Sequence, residues 1–205
     1  MGSMEVVVLA FVMVAGPQIL SSIFFATSDH WRPTSAAYIA GAGISISIIV
    51  SAAFLLSSGA SNEGTSDKTL YWIILALLLF AVIHTFLTRK TAEPPKWMGK
   101  LQTASTRFAF ILGFLLLGVF PSDLVTSVSV GSYLEAKGHP LWYFLAFLGL
   151  TLLFLALPAL TLLILGSRAE PYLPKARNWM TQNAWIVNEL VLALFIALVI
   201  SNIAS

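Results

Sequence analysis

Six apolar runs, each about as long as a membrane's hydrocarbon core is thick, set the terms on which this chain can fold. They cover about Val6–Phe25, Ser35–Leu56, Leu70–Leu87, Phe108–Val130, Leu141–Leu165 and Ile186–Ile203. Only 11 basic and 9 acidic residues occur in 205, so charge is confined to the links. A soluble domain of this length has one core and cannot hide that much apolar surface. A soluble enzyme, a DNA-binding module and a disordered chain are excluded. Backbone groups in lipid must be satisfied within the segment, and no ten-residue alternating pattern signals a barrel, so the runs are helices. The pI near 9 comes from residues in short links, where membrane orientation explains them better than nucleic acid does. With no cysteine, disulfides, thiolate metal sites and thiol catalysis are excluded.

Met1-Gly2-Ser3, ahead of Met4, reads as an expression scar and is set aside. The run that follows has no basic leader and continues through Gln18, Ser21 and Ser22, which makes it a retained first span. Lys and Arg then fix orientation. Links after runs one, three and five carry nine (Arg32; Arg89, Lys90, Lys96, Lys100, Arg107; Arg168, Lys175, Arg177), and the opposite links carry Lys68 and Lys137. The positive-inside bias places the first set in the cytoplasm and both termini outside, for a multi-pass protein of the cell membrane. Trp31, Trp72, Trp97, Trp142 and Trp185 stand near run ends, as an aromatic belt requires.

Residues 88–107, with Pro94-Pro95 at their centre, form a basic cytoplasmic linker between two sets of three spans, residues 4–87 and 108–205. Three is odd, so the second set enters from the opposite side, and any likeness between the sets is an inverted repeat. Runs one and four supply it. Pro17 is followed by Gln18, Ser21 and Ser22; Pro121 is followed by Ser122, Asp123, Thr126 and Ser127. Proline removes a backbone donor and frees carbonyls at membrane depth, which only protein, hydroxyls or a wet cavity can satisfy. The expected architecture is all-α, six transmembrane helices in two inverted three-helix repeats, with helices one and four broken at their prolines.

The second run carries two rows of small residues at four-residue spacing: Gly43, Ser47 and Ser51, and Ala37, Gly41 and Ser45. Such rows let helices approach closely, within a bundle or across a homodimer. Asp123 stands out because an ionisable group inside a span needs a cavity or a partner. It can hold a proton or cation, or cap the half-helix after Pro121. The expected substrate- or ion-binding set is therefore Pro17, Gln18, Ser21, Ser22, Pro121, Ser122, Asp123, Thr126 and Ser127. Asn188 and Glu189 fall near the outer start of run six, and His84 near a basic link. His30, His84 and His139 belong to different membrane faces, so a three-histidine metal site is not expected. With no nucleophile–base pair and no phosphate loop, neither an enzyme nor a cofactor is expected.

Several stretches resemble the glycolipid-addressing (sulfolipid-1-addressing, Sap) family, itself placed in the LysE exporter superfamily. They are Arg32-Pro33-Thr34-Ser35-Ala36-Ala37-Tyr38-Ile39-Ala40-Gly41, Pro94-Pro95-Lys96-Trp97-Met98, Gly113 through Pro121-Ser122-Asp123-Leu124, and Asn178-Trp179-Met180 to Asn183-Ala184. The resemblance implies two inverted three-helix halves and a role in export, or in delivery of a lipid or small molecule to the outer face. Gly16-Pro17-Gln18 departs from the Pro-Gly-Pro or Asn-Pro of the superfamily's amino-acid exporters. The leading expectation is a transporter that rocks its halves about a midplane site, coupled through Asp123. The alternative is a non-catalytic accessory protein assisting a larger lipid exporter.

Overall fold

A computed structural model describes residues 3–58, 101, 103–169, 171–183, 186, 193, 196 and 200. Apolar runs three and six, most of the 88–107 linker, His84, Asn188 and Glu189 lie outside the described residues or within stretches of which only isolated positions are described. The described part is almost entirely helical. It comprises α1 (Ser3–Val14), α2 (Pro17–Ala26), α3 (Trp31–Ser57), α4 (Thr106–Val119), α5 (Pro121–Ala136), α6 (Phe144–Leu165) and α7 (Tyr172–Gln182). Short 3₁₀ turns at Leu141–Tyr143 and Gly166–Arg168 flank α6.

Two segments, Trp31–Ser57 and Leu141–Leu165, are each long and apolar enough to cross a membrane. Two further pairs meet that test only jointly, because each is bent at a break: α1 with α2 by 67°, and α4 with α5 by 66°. Six spans are thus not what the described residues display.

The breaks sit where proline chemistry puts them. Pro17 and Pro121 do not kink a continuous helix; each opens a new one, in the first turn, where the missing N–H would have had no partner anyway. The residue before each proline must leave the helical region, and the two do so differently. Gly16 adopts φ 110°, ψ −139°, a conformation open to glycine. Phe120 is extended at φ −63°, ψ 128°. In α4, Ser105 caps the start by accepting from the Phe108 N–H at 3.2 Å.

Packing exchanges partners between the halves. The bent pair α1–α2 lies chiefly on α6, and the bent pair α4–α5 lies chiefly on α3. Additional contacts join α1 to α5, α2 to α4, and α3 to α6. Each bent pair runs parallel to its straight partner. Val6 lines one groove with Phe144 and Phe147, Phe11 meets the Phe154 ring at 6.5 Å, and Ser22 reaches Leu155. Likewise Tyr38 meets Gly113, Ser45 meets Gly118, Val50 meets Gly131, and Ser57 donates to Ser132 at 2.9 Å. A short turn, Thr27 to His30, reverses the chain between α2 and α3, so the two groups run oppositely.

The small residues of α3 divide between two neighbours. Gly41 faces the Phe110 carbonyl of α4, Gly113 faces the Tyr38 carbonyl in return, and Ser45 lies against Gly118. Backbone meets backbone there, which only residues without a side chain permit. Gly43 and Ser47 line an apolar groove of about 680 Å³ with Leu148 and Leu152 of α6. Between these contacts Tyr38, Ala42, Ile46 and Val50 form a buried stripe along α3. At one end of the bundle, Val6, Leu134 and Phe147 surround a second groove of about 430 Å³.

Candidate functional site

The two breaks meet. Gln18, second residue of α2, donates through Nε2 to Asp123 Oδ2 of α5 at 2.5 Å, although 105 positions separate them in sequence. Ser122 Oγ donates to the other carboxylate oxygen at 3.2 Å. Gln18 and Asp123 are fully buried, so each makes good the other's loss of water. No side chain caps the start of α5, so Asp123 sits in its first turn as the acceptor for Gln18 rather than as the N-cap.

The neighbouring hydroxyls are used locally. Ser21 donates to the Pro17 carbonyl at 2.7 Å and Thr126 to the Ser122 carbonyl at 2.8 Å, each bonding one turn back in its own helix. Ser22 crosses to α6 and donates to the Leu155 carbonyl. That carbonyl is next to Phe154, whose own acceptor loses its helical donor at Pro158. Ser127 is buried against the Met13 thioether, 4.0 Å away. Pro17 and Pro121 supply the two helix starts.

Three contributors lie outside the set expected from sequence. Tyr38 of α3 donates its hydroxyl to the Gln18 carbonyl at 2.9 Å and stacks tilted on Phe25 at 5.2 Å. Its signal was a lone phenol in a run of small apolar residues, where a buried hydroxyl needs a partner. Met13 approaches from α1, and the Leu155 carbonyl from α6. Gln18 Oε1 is buried with no hydrogen-bond partner. It lies over Gly16, where even a Cβ would approach it to 3.2 Å.

Fold and junction together define an apolar helix bundle with two helices long and apolar enough to cross a membrane, whose broken elements are tied by buried polar contacts. The chain matches the family described as Sap, sulfolipid-1-addressing protein, over residues 6–203, and it belongs to that family. No curated protein and no solved structure matches it. The match is to the addressing family itself and carries no link to an exporter superfamily.

Membership corrects the leading functional expectation. The family is an addressing family, and the described residues hold two helices long and apolar enough to cross a membrane, or up to four if each bent pair is one span. A transporter or exporter that carries its substrate between rocking halves is not supported, and the accessory alternative is favoured. The error lay in equating proline breaks with a carrier's central site; broken helices belong to a fold, and a fold does not specify an activity. As a member of this family the chain is not an enzyme. Among the described residues no group of three or more His, Cys, Asp or Glu could hold a metal ion.

Proposed function

We propose that this chain is a non-catalytic accessory membrane protein that assists delivery of a sulfolipid-class glycolipid by a larger export machinery. The family match over nearly the whole chain carries this reading. The junction suits it, because Asp123 and Ser22 spend their hydrogen bonds on tying one helix to another. A rigid, shaped bundle is what a docking component needs. Removing the gene should lower surface glycolipid while its synthesis continues, and the protein alone in liposomes should move none. Unchanged surface glycolipid in the deletion strain, or lipid movement by the purified protein alone, would overturn the proposal.

We also infer a complete architecture of six spans in two inverted halves. It is supported by the near-equal bends of the two broken pairs, by their exchanged packing, and by their opposite directions. The same reading puts both termini outside. Arg32, Arg107, Arg168, Lys175 and Arg177 belong to elements at the end of the bundle where α2 stops and α6 leads into α7, whereas Lys137 belongs to the other end. The positive-inside bias makes the first end cytoplasmic.

A further inference from the structure

Helix α7 is unlike the rest of the bundle. It is short and amphipathic, begins directly after the turn that ends α6, and packs against α2. Leu173 is buried toward the bundle. On the opposite side, Tyr172, Lys175 and Trp179 stand at positions i, i+3 and i+7, which share one helical face. Tyr172 is 68% exposed and Trp179 54%, an unusual display of large rings on a polar helix. Lys175 Nζ lies 5.9 Å from the centre of the Tyr172 ring. Arg168, exposed in the preceding turn, adds a second cation. Arg32 adds a third where α2 gives way to α3, its guanidinium 5.3 Å from the centre of the Trp31 ring. Among the described residues neither Arg32 nor Lys175 is paired with a carboxylate; each rests on an aromatic ring instead. Asp29 is the described acidic residue on this end of the bundle, and it is exposed.

We propose that the Tyr172–Lys175–Trp179 face of α7, together with Arg168 and Arg32, binds the headgroups of anionic phospholipids in the adjoining leaflet. The occupant follows from the surface. Aromatic rings that present an apolar body and a polar tip settle at headgroup depth, and long cationic side chains reach from there to phosphate. A helix continuous with a membrane-crossing one keeps that face within reach of the bilayer surface, so phosphate on neighbouring lipids is the anion available to draw it down. This inference stands on α7 and does not depend on the accessory function proposed above.

Because the chain has no cysteine, Gln182→Cys can carry an environment-sensitive dye at a single known place. In vesicles of neutral phosphatidylcholine with added phosphatidylglycerol, the dye should shift to shorter wavelength and be quenched by brominated lipid. Without phosphatidylglycerol, or in high salt, the shift should shrink. Native mass spectrometry should show phosphatidylglycerol retained by the wild type, with retention falling about fivefold for each of Arg168→Gln and Lys175→Gln. Identical dye spectra in the two vesicle types, or retention unchanged in the double variant, would overturn the proposal. A dye that stays in water in both vesicle types would overturn it too, and would leave this face free for a protein partner.

Discussion

Gly113→Ala adds one methyl group, and the structure fixes where it goes. The new Cβ would collide with the Tyr38 carbonyl of α3, a backbone atom that has no rotamer into which to escape. Helices α3 and α4 must therefore separate along the most extensive contact in the bundle. Tyr38, Ala42 and Ile46, all fully buried, would lose packing as they part. Overpacking of this kind costs about 1–3 kcal/mol, and an immovable obstacle argues for the upper half of that range. Gly149→Ala in α6 is the chemically identical control. Nothing lies within 4 Å of its Cβ, and it is exposed, so helix propensity favours alanine by up to about 1 kcal/mol. That gain is common to both variants, so they should differ by about 2–3 kcal/mol. Equilibrium unfolding in mixed micelles, followed by tryptophan fluorescence, measures this directly. If Gly113→Ala unfolds together with Gly149→Ala, the close approach of backbones is refuted. Gly41→Ala opens the same interface from the other side, so combining it with Gly113→Ala should cost less than the sum.

Asp123→Leu should destabilise by about 1–3 kcal/mol, because it strands the Gln18 amide, and adding Gln18→Leu should recover the part due to that stranded amide but not the part due to the two uncompensated helix starts; additive losses in the same unfolding assay would refute the pairing. Gly16→Ala should cost about 1–3 kcal/mol, since its φ of 110° suits glycine, and a neutral result would show that the first break lacks this geometry. Lys137→Cys should react with an impermeant maleimide on intact cells, and Ala176→Cys only after the membrane is opened; the reverse pattern would invert the proposed orientation.

The straight helices α3 and α6 were legible because long apolar runs with charge only at their edges must satisfy their backbone within the segment, and both are long and apolar enough to cross a membrane. The positions of the breaks were legible from Pro17 and Pro121 for the same reason. Their form was not, because a proline shows that a donor is missing but not whether the chain kinks or restarts, and the sharp bend of each restart depends on Gly16 and Phe120. That the small residues of α3 mediate close approach was readable from spacing. Which row met which neighbour depended on the rotation of α3 about its axis, a tertiary quantity. Helix α7 escaped notice because eleven residues with Pro174 in the first turn give too little periodicity to separate from a basic link. The junction's bonds to carbonyls, from Tyr38 to Gln18 and from Ser22 to Leu155, have no sequence signature at all, since every residue carries the same acceptor.

The need for an acid at residue 123 follows from the two restarts themselves. Each restart creates a helix N-terminus with unpaired N–H groups and a partial positive charge, and the exchanged packing brings the starts of α2 and α5 together through Gln18 and Asp123. Two like-signed helix ends in a medium of low dielectric repel unless a negative group lies between them. Asp123, in the first turn of α5 and bonded to the second residue of α2, is placed to compensate both. Its burial therefore has a role in the fold itself, separate from any ion or substrate. A carboxylate inside a span remains a good sign that something must be neutralised; in this bundle the positive ends of its own two broken helices lie against it.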